Sequence, residues 1–205
     1  NLSHRPPCPQ RLRQSALVEV IQLATNRQAM GELGDANGEA LQALGEVDNS
    51  IESDPNAAMA WNMKGGILSS MGKYDEAIGC FEKAIELNST SADAWYNKGV
   101  TLAGGLGRYN ESIDALERAT EINPEYTNAW YSKGVVLATI GRYNDSLEAF
   151  ERATRIQPSF AEAWFNKGIA QEHLGDFQDA VESFDEAIKA NPSYTDAVKE
   201  KVIAL

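Results

Sequence analysis

Tryptophan recurs at Trp61, Trp95, Trp130 and Trp164, and each brings a copy of its surroundings. The copies read Ala60-Trp61-Asn62-Met63-Lys64-Gly65, Ala94-Trp95-Tyr96-Asn97-Lys98-Gly99, Ala129-Trp130-Tyr131-Ser132-Lys133-Gly134 and Ala163-Trp164-Phe165-Asn166-Lys167-Gly168. They lie about 34 residues apart, with one copy a residue longer, and a fixed period in this range means a stack of like supersecondary units rather than one globular core. Such stacks present surface to partners, so the repeat constrains function as well as fold.

Within one unit, Ala92 to Tyr126, the side chains of Trp95, Gly99 and Leu102 fall at i, i+4 and i+7, one face of a helix. Gly107-Arg108-Tyr109 breaks that pattern, glycine supplying the left-handed turn that ends a helix. Asn110 is the expected N-cap of the next helix. Ile113, Leu116, Ala119, Thr120 and Ile122 give that helix its apolar face, and Asn123-Pro124 stops it. The unit is helix–turn–helix.

Four units repeat this pattern in register. Residues 58–91 hold Trp61, Gly65, Leu68, Tyr74, Ala77, Phe81 and Ala84, with Ser89 where the others close on proline. Residues 92–126 hold Trp95, Gly99, Leu102, Tyr109, Ser112, Leu116, Ala119 and Pro124. Residues 127–160 hold Trp130, Gly134, Leu137, Tyr143, Ser146, Phe150, Ala153 and Pro158. Residues 161–194 hold Trp164, Gly168, Gln171, Phe177, Ala180, Phe184, Ala187 and Pro192. These residues resemble the tetratricopeptide repeat (TPR) family. The resemblance covers about two thirds of the chain and implies an all-α fold, an α-solenoid of TPR units wound into a right-handed superhelix. One departure is common to all four copies: Lys64, Lys98, Lys133 and Lys167 stand where the family usually has leucine. Their methylenes are expected to lie over aromatic rings with the ammonium in water; the other reading is a ladder for an anionic partner.

The ends are less regular. Residues 20–57 read as a degenerate pair, with Leu33-Gly34-Asp35 as its turn, Ala40, Leu44 and Val47 as the face of its second helix, and Asp54-Pro55-Asn56 as its exit. Residues 195–205 begin a helix with Ala197, Val198, Lys201 and Val202 and read as a cap or a subunit contact. Residues 1–19 form an arm whose first fourteen residues hold Arg5, Arg11, Arg13 and His4 and no acid, ahead of a body that gives the whole chain a net charge of -12. That arm is either solvated or docked on an acidic neighbour.

In the resembled family the first helices line a concave groove. Each first helix here has a second apolar stripe beside the Trp–Gly–Leu one: Tyr96, Val100 and Ala103, then Tyr131, Val135 and Ala138, then Phe165, Ile169 and Glu172. The equivalents in the first repeat, Asn62, Gly66 and Ser69, are small and polar. The expectation is an aromatic groove over the last three repeats, anchored by Tyr96, Tyr131 and Phe165 and taking an apolar helix or an extended segment. The alternative is that these side chains pack between adjacent repeats. Some family members clamp a peptide carboxylate with lysine and asparagine. Asn97 and Asn166 match one asparagine of that clamp, but its other positions are aromatic or aliphatic, so the clamp is not carried over.

The remaining chemistry is sparse. An acidic chain without a basic stripe is a poor ligand for nucleic acid. No apolar run approaches the roughly 20 residues of a membrane span. His4 and His173 are far apart in sequence, and Cys8 and Cys80 form no metal-ligand cluster. Cys80 reads as a small core residue. Gly104-Gly105-Leu106-Gly107 lacks the lysine and hydroxyl residue of a phosphate loop. No enzyme, cofactor or metal is expected. Asn1, Asn88, Asn110 and Asn144 each open an N-x-[ST] sequon. Used sequons require export, towards which the non-Met first residue also leans; unused ones leave a cytoplasmic protein open. The expected function is a non-catalytic scaffold for a protein or peptide segment. The rival is an exported protein that assembles with copies of itself, head to tail, through its solenoid ends and its arm.

Overall fold

The computed structural model describes residues 33–204. Every regular element among them is an α-helix: α1 (Leu33–Ser53), α2 (Ala58–Ser70), α3 (Tyr74–Leu87), α4 (Ala92–Leu106), α5 (Tyr109–Ile122), α6 (Thr127–Thr139), α7 (Tyr143–Ile156), α8 (Ala161–Leu174), α9 (Phe177–Ala190) and α10 (Thr195–Ala204). They fall into two compact units, one built from α1 to α5 and the other from α6 to α10. The arm, Cys8, the Asn1 sequon and the first part of the degenerate pair lie outside the described residues.

The four expected helix pairs are α2/α3, α4/α5, α6/α7 and α8/α9. Gly72, Gly107, Gly141 and Gly175 turn the chain between the members of each pair with φ of 77°, 65°, 82° and 89°, a region that costs a side chain dearly and glycine nothing. Two local expectations change. The second helices begin at Tyr109 and Tyr143, and their caps are Arg108 and Arg142, which make no side-chain cap bond. Asn110 is thus the second residue of its helix, not its N-cap, and Asn144 holds the same place in the next repeat. The first turns are held instead by Arg108 on Glu111, 2.5 Å, and Arg142 on Asp145, 2.6 Å. The other change is at Leu33-Gly34-Asp35, expected as a turn. It is the first turn of α1, a place where glycine is tolerated because the leading N–H groups have no intrahelical acceptor to lose.

Within each pair a glycine lets the second helix close in. A Cβ added at Gly65, Gly134 or Gly168 would sit 2.5–2.6 Å from a ring carbon of Phe81, Phe150 or Phe184, and at Gly99 2.7 Å from Leu116. Those four large residues are at most 1% exposed. Truncating a buried phenylalanine costs about 3–5 kcal/mol, a large part of a marginal stability, so this contact is the mainstay of each repeat.

Within a unit, Trp61, Trp95 and Trp164 tie their helix pairs to the helix before. The indole N–H donates to the exit carbonyl of the preceding turn: Trp61 to Pro55, 3.0 Å; Trp95 to Ser89, 3.1 Å; Trp164 to Pro158, 3.0 Å. The shared lysine lies over its own tryptophan, with Nζ 5.1–5.8 Å from the ring centre at Lys64, Lys98, Lys133 and Lys167. It also reaches an acid sixteen residues back: Lys64 to Asp48, 2.7 Å; Lys98 to Glu82, 2.8 Å; Lys167 to Glu151, 3.7 Å. The ammonium is therefore paired rather than simply hydrated. α10 copies this seam, with Ala197 fully buried and Lys201 bonded to Asp185 at 2.5 Å.

Candidate interaction surface

A first helix has one face for its paired helix and another that its own periodicity does not assign. In the unit of α6–α10 the neighbours assign it. Tyr131 is 3% exposed, its ring 4.7 Å from Phe160 and 6.0 Å from Phe150. Phe165 is 6% exposed, 5.8 Å from Phe184 and 5.0 Å from Tyr194. Phe160 and Tyr194 are the last aromatics of the same repeats, carried back by the exit turn to lie on the residue after the tryptophan. Asn166, 1% exposed, donates through Nδ2 to the Tyr131 hydroxyl at 2.9 Å, joining one repeat to the next.

This corrects the expected floor. Tyr131, Val135, Ala138, Phe165 and Asn166 are buried, and Ala103 in the other unit is also buried. Tyr96, Asn97, Val100, Ile169 and Glu172 are half-buried. Two aromatic rings that pack on each other lose more water than either loses alone, so in the last two repeats the Tyr131–Phe160 and Phe165–Tyr194 contacts seal this part of the first helix.

The first repeat has neither ring. Asn62 occupies the position of Tyr131 and Phe165, and Ser91 that of Phe160 and Tyr194. There the surface stays open and carries two large apolar side chains, Met59 at 76% exposure and Met63 at 53%, one turn apart on α2. Beside them Asn97 Nδ2 donates to Asn62 Oδ1 at 3.1 Å, and Ser69 shares a hydroxyl bond with Thr101 at 3.1 Å. Asn62 Nδ2 and Asn97 Oδ1 keep their own hydrogen-bonding capacity. Sequence reasoning passed over the methionines. The available signal was that the same two positions hold Asp93, Asn128 and Glu162, and Asn97, Ser132 and Asn166, in the other repeats; a large apolar residue there needs a reason. α1 packs on α2 and contains Asp35, Glu39, Glu46, Asp48 and Glu52 with no lysine or arginine, so this open region borders an acidic helix.

Other singled-out residues have local roles. The His173 ring stacks on Tyr143, centroids 4.3 Å apart and 3° from parallel, and burial holds its pKa below the ordinary value. Cys80 is a buried free thiol whose pKa burial raises, which makes it unreactive. Asn88, Asn110 and Asn144 are exposed, but the sequon hydroxyls of Ser112 and Ser146 are fully buried in the helix-pair contact. Asn88 lies in an exit turn, its Oδ1 accepting from Thr90 N at 3.1 Å and Thr90 Oγ1 at 2.9 Å. Beside α8, Trp164, Lys167, Glu151, Thr154, Arg155 and Pro158 line a shallow cleft of about 310 Å³. Among the described residues no group of His, Cys, Asp and Glu is placed to hold a metal, and no helix is long and apolar enough to cross a membrane.

Family models described as tetratricopeptide repeat match residues 58–91, 80–114, 100–159 and 137–195. Among solved structures, the chain is similar to MamA, at 28% identity over 82% of this chain and 97% of that one with a TM-score of 0.71. A second MamA structure matches at 26% identity, covering 87% and 95% with a TM-score of 0.69. YrrB, described as a TPR protein with an unusual peptide-binding site, matches at 26% identity over 96% and 98% with a TM-score of 0.68. No curated protein sequence matches.

Proposed function

Because the chain belongs to the tetratricopeptide repeat family, an all-α solenoid of protein-interaction repeats, we propose that it is a non-catalytic scaffold holding an apolar, basic-flanked segment of a partner protein across α2 and α4. The observation that carries this reading is the exposed pair Met59 and Met63 beside the Asn62–Asn97 amide bond. Methionine is flexible and polarisable and adapts to apolar side chains of varied shape. The two amides supply a donor and an acceptor for the main chain of an extended segment, which would otherwise lose its bonds to water. Half-buried Tyr96 and Val100 continue the apolar strip on α4. The acids of α1 favour lysine or arginine at one end of the segment and speed its approach. The likeness to YrrB, whose structure is described by its peptide-binding site, supports a peptide as the class of ligand.

Peptides selected from a random displayed library against the full chain give the test. The expected winners pair two or more apolar residues with a basic flank, and Met59→Lys with Met63→Lys together weakens them at least ~10-fold, about 1.4 kcal/mol. Phe177→Ser, at an exposed position far along the sequence, leaves them unchanged. Peptides that bind the methionine double variant as well as wild type refute the assignment.

A further inference from the structure

Every second helix hands the chain to the next first helix through a similar exit, and one exit departs from the pattern. Nine residues before the tryptophan, or before Val198 in α10, the exits hold Glu52, Glu86, Glu121, Arg155 and Lys189. Glu86 is paired with Lys83 at 2.9 Å, Glu121 with Arg118, and Lys189 with Glu186 at 3.2 Å, each time an opposite charge three residues back. Three residues before Arg155 stands Arg152, a like charge, whose guanidinium lies instead over the Trp130 ring at 5.8 Å from its centre. Arg155 is exposed in the last turn of α7 and has no carboxylate partner among the described residues. The end of a helix favours a cation, yet Glu52, Glu86 and Glu121 hold the same place, so the dipole alone does not select the arginine.

The floor beside Arg155 is lowered as well. Thr154 takes the place of Ile51, Ile85 and Ile188; it is 3% exposed, where those isoleucines are half-buried. Its hydroxyl is spent on its own helix, Oγ1 donating to the Glu151 carbonyl at 3.2 Å. Pro158 and the Trp164 ring are held together by the indole N–H, which donates to the Pro158 carbonyl at 3.0 Å. With that N–H used, Trp164 presents only apolar ring to the cleft of about 310 Å³, a volume at the small end of ligand sites. Lys167 Nζ is 5.1 Å from the ring centre and 3.7 Å from Glu151, a looser pairing than the 2.5–2.8 Å of Lys64, Lys98 and Lys201. Against the two cations of the lining stands the single carboxylate of Glu151, so a positive charge is left over in a chain whose net charge is -12.

We propose that this cleft binds a small organic monoanion, its carboxylate towards Arg155 and Lys167 and a flat apolar body over Trp164, Pro158 and the Thr154 methyl. The guanidinium fork matches the two oxygens of a carboxylate. The ring and the proline supply apolar contact that asks for no further hydrogen bond. Glu151 stands against a dianion, so a phosphate monoester is a poorer fit. Thr120 shares the short floor but is followed by Glu121, and Lys189 shares the charge but has Val198 in place of the indole. The short floor, the unpaired cation and the indole therefore meet at this exit alone. The site shares no residue with the surface at Met59 and Met63, so its fate is separate from that of the peptide reading.

Phenylacetate is titrated into the isotope-labelled full chain at low salt, and the indole N–H signals of Trp61, Trp95, Trp130 and Trp164 are followed by NMR. A ligand this small in a shallow cleft is expected to bind with a Kd on the order of 1 mM, moving the Trp164 signal to saturation and leaving the other three in place. Phenylacetamide, of the same shape without the charge, and phenyl phosphate, largely a dianion at pH 7.5, each bind at least ~10-fold more weakly. Arg155→Glu, which restores the residue of three other exits, weakens phenylacetate at least ~10-fold, and Thr154→Ile, which raises the floor, does the same. Lys189→Glu, at the equivalent exposed position of α9, leaves it unchanged, and circular dichroism confirms that each variant keeps its helix content. A Trp164 signal that stays in place up to about 20 mM phenylacetate, phenylacetamide or phenyl phosphate binding as tightly as phenylacetate, or Arg155→Glu binding like wild type each overturns the proposal.

Discussion

Gly65 and Gly66 are adjacent in α2, yet the same substitution at each has opposite consequences. Both are interior helix positions, where alanine is favoured over glycine by about 0.8–1 kcal/mol. At Gly66 nothing lies within 4 Å of an added Cβ, so Gly66→Ala keeps that gain and raises stability by about 1 kcal/mol. At Gly65 the new Cβ would lie 2.5, 2.7 and 2.9 Å from three ring carbons of Phe81. Carbon atoms rest at about 3.5–4.0 Å, so the ring has to move by about 1 Å. Phe81 is 1% exposed in a cluster with Leu68, Ala77, Ile78, Cys80, Leu102 and Ala115, so it has nowhere empty to go. Overpacking of this kind costs about 1–3 kcal/mol, and the helix gain offsets about 1 of it. Gly65→Ala is therefore expected to be neutral to ~2 kcal/mol less stable than wild type, and about 1–3 kcal/mol less stable than Gly66→Ala. Urea unfolding followed by circular dichroism, with an unchanged slope, measures the difference. If Gly65→Ala is as stable as Gly66→Ala, the close approach of α2 and α3 is not what stabilises the repeat.

Phe150→Ala removes a fully buried ring from the α6/α7 contact and is expected to cost about 3–5 kcal/mol, whereas Phe177→Ala, at 54% exposure, is expected to stay within about 0.5 kcal/mol of wild type; the same unfolding assay compares them. His173 gives a pH signature. Its folded pKa lies below the ordinary 6.5, so the unfolded chain takes up the proton first; the contribution is intact above 6.5 and is lost as pH falls below that value. Melting temperatures from pH 8 to pH 5 should therefore fall more for wild type than for His173→Phe, which keeps a ring against Tyr143 and has nothing to protonate; parallel curves would refute the assignment.

Much of this architecture was legible in the chain because its causes are local and recur. Glycine where a turn needs positive φ, and the Trp–Gly face with its small and large answers sixteen or seventeen residues on, are written four times in register, and proline closes three of the four units. Errors at that level were confined to helix starts. Asn110 looked like a cap by residue type, but the helix starts one residue earlier and its first turn carries an arginine–carboxylate pair instead.

The interaction surface was not legible in the same way. Tyr131 and Phe165 lie on a helix stripe whose period says only that it is apolar, and an apolar stripe serves a ligand or a neighbour equally well. Phe160 and Tyr194 decide the matter, and they reach those rings only because the exit turn folds back over the first helix. The open ground at Met59 and Met63 arises from the converse, the absence of a ring at Asn62 and at Ser91 together. Sequence alone determined the repeating pair and its register, since those follow from backbone preference and short-range size matching. Tertiary structure alone decided which apolar residues lie against one another and which still meet water, since burial depends on what residues about 29 positions away bring into contact.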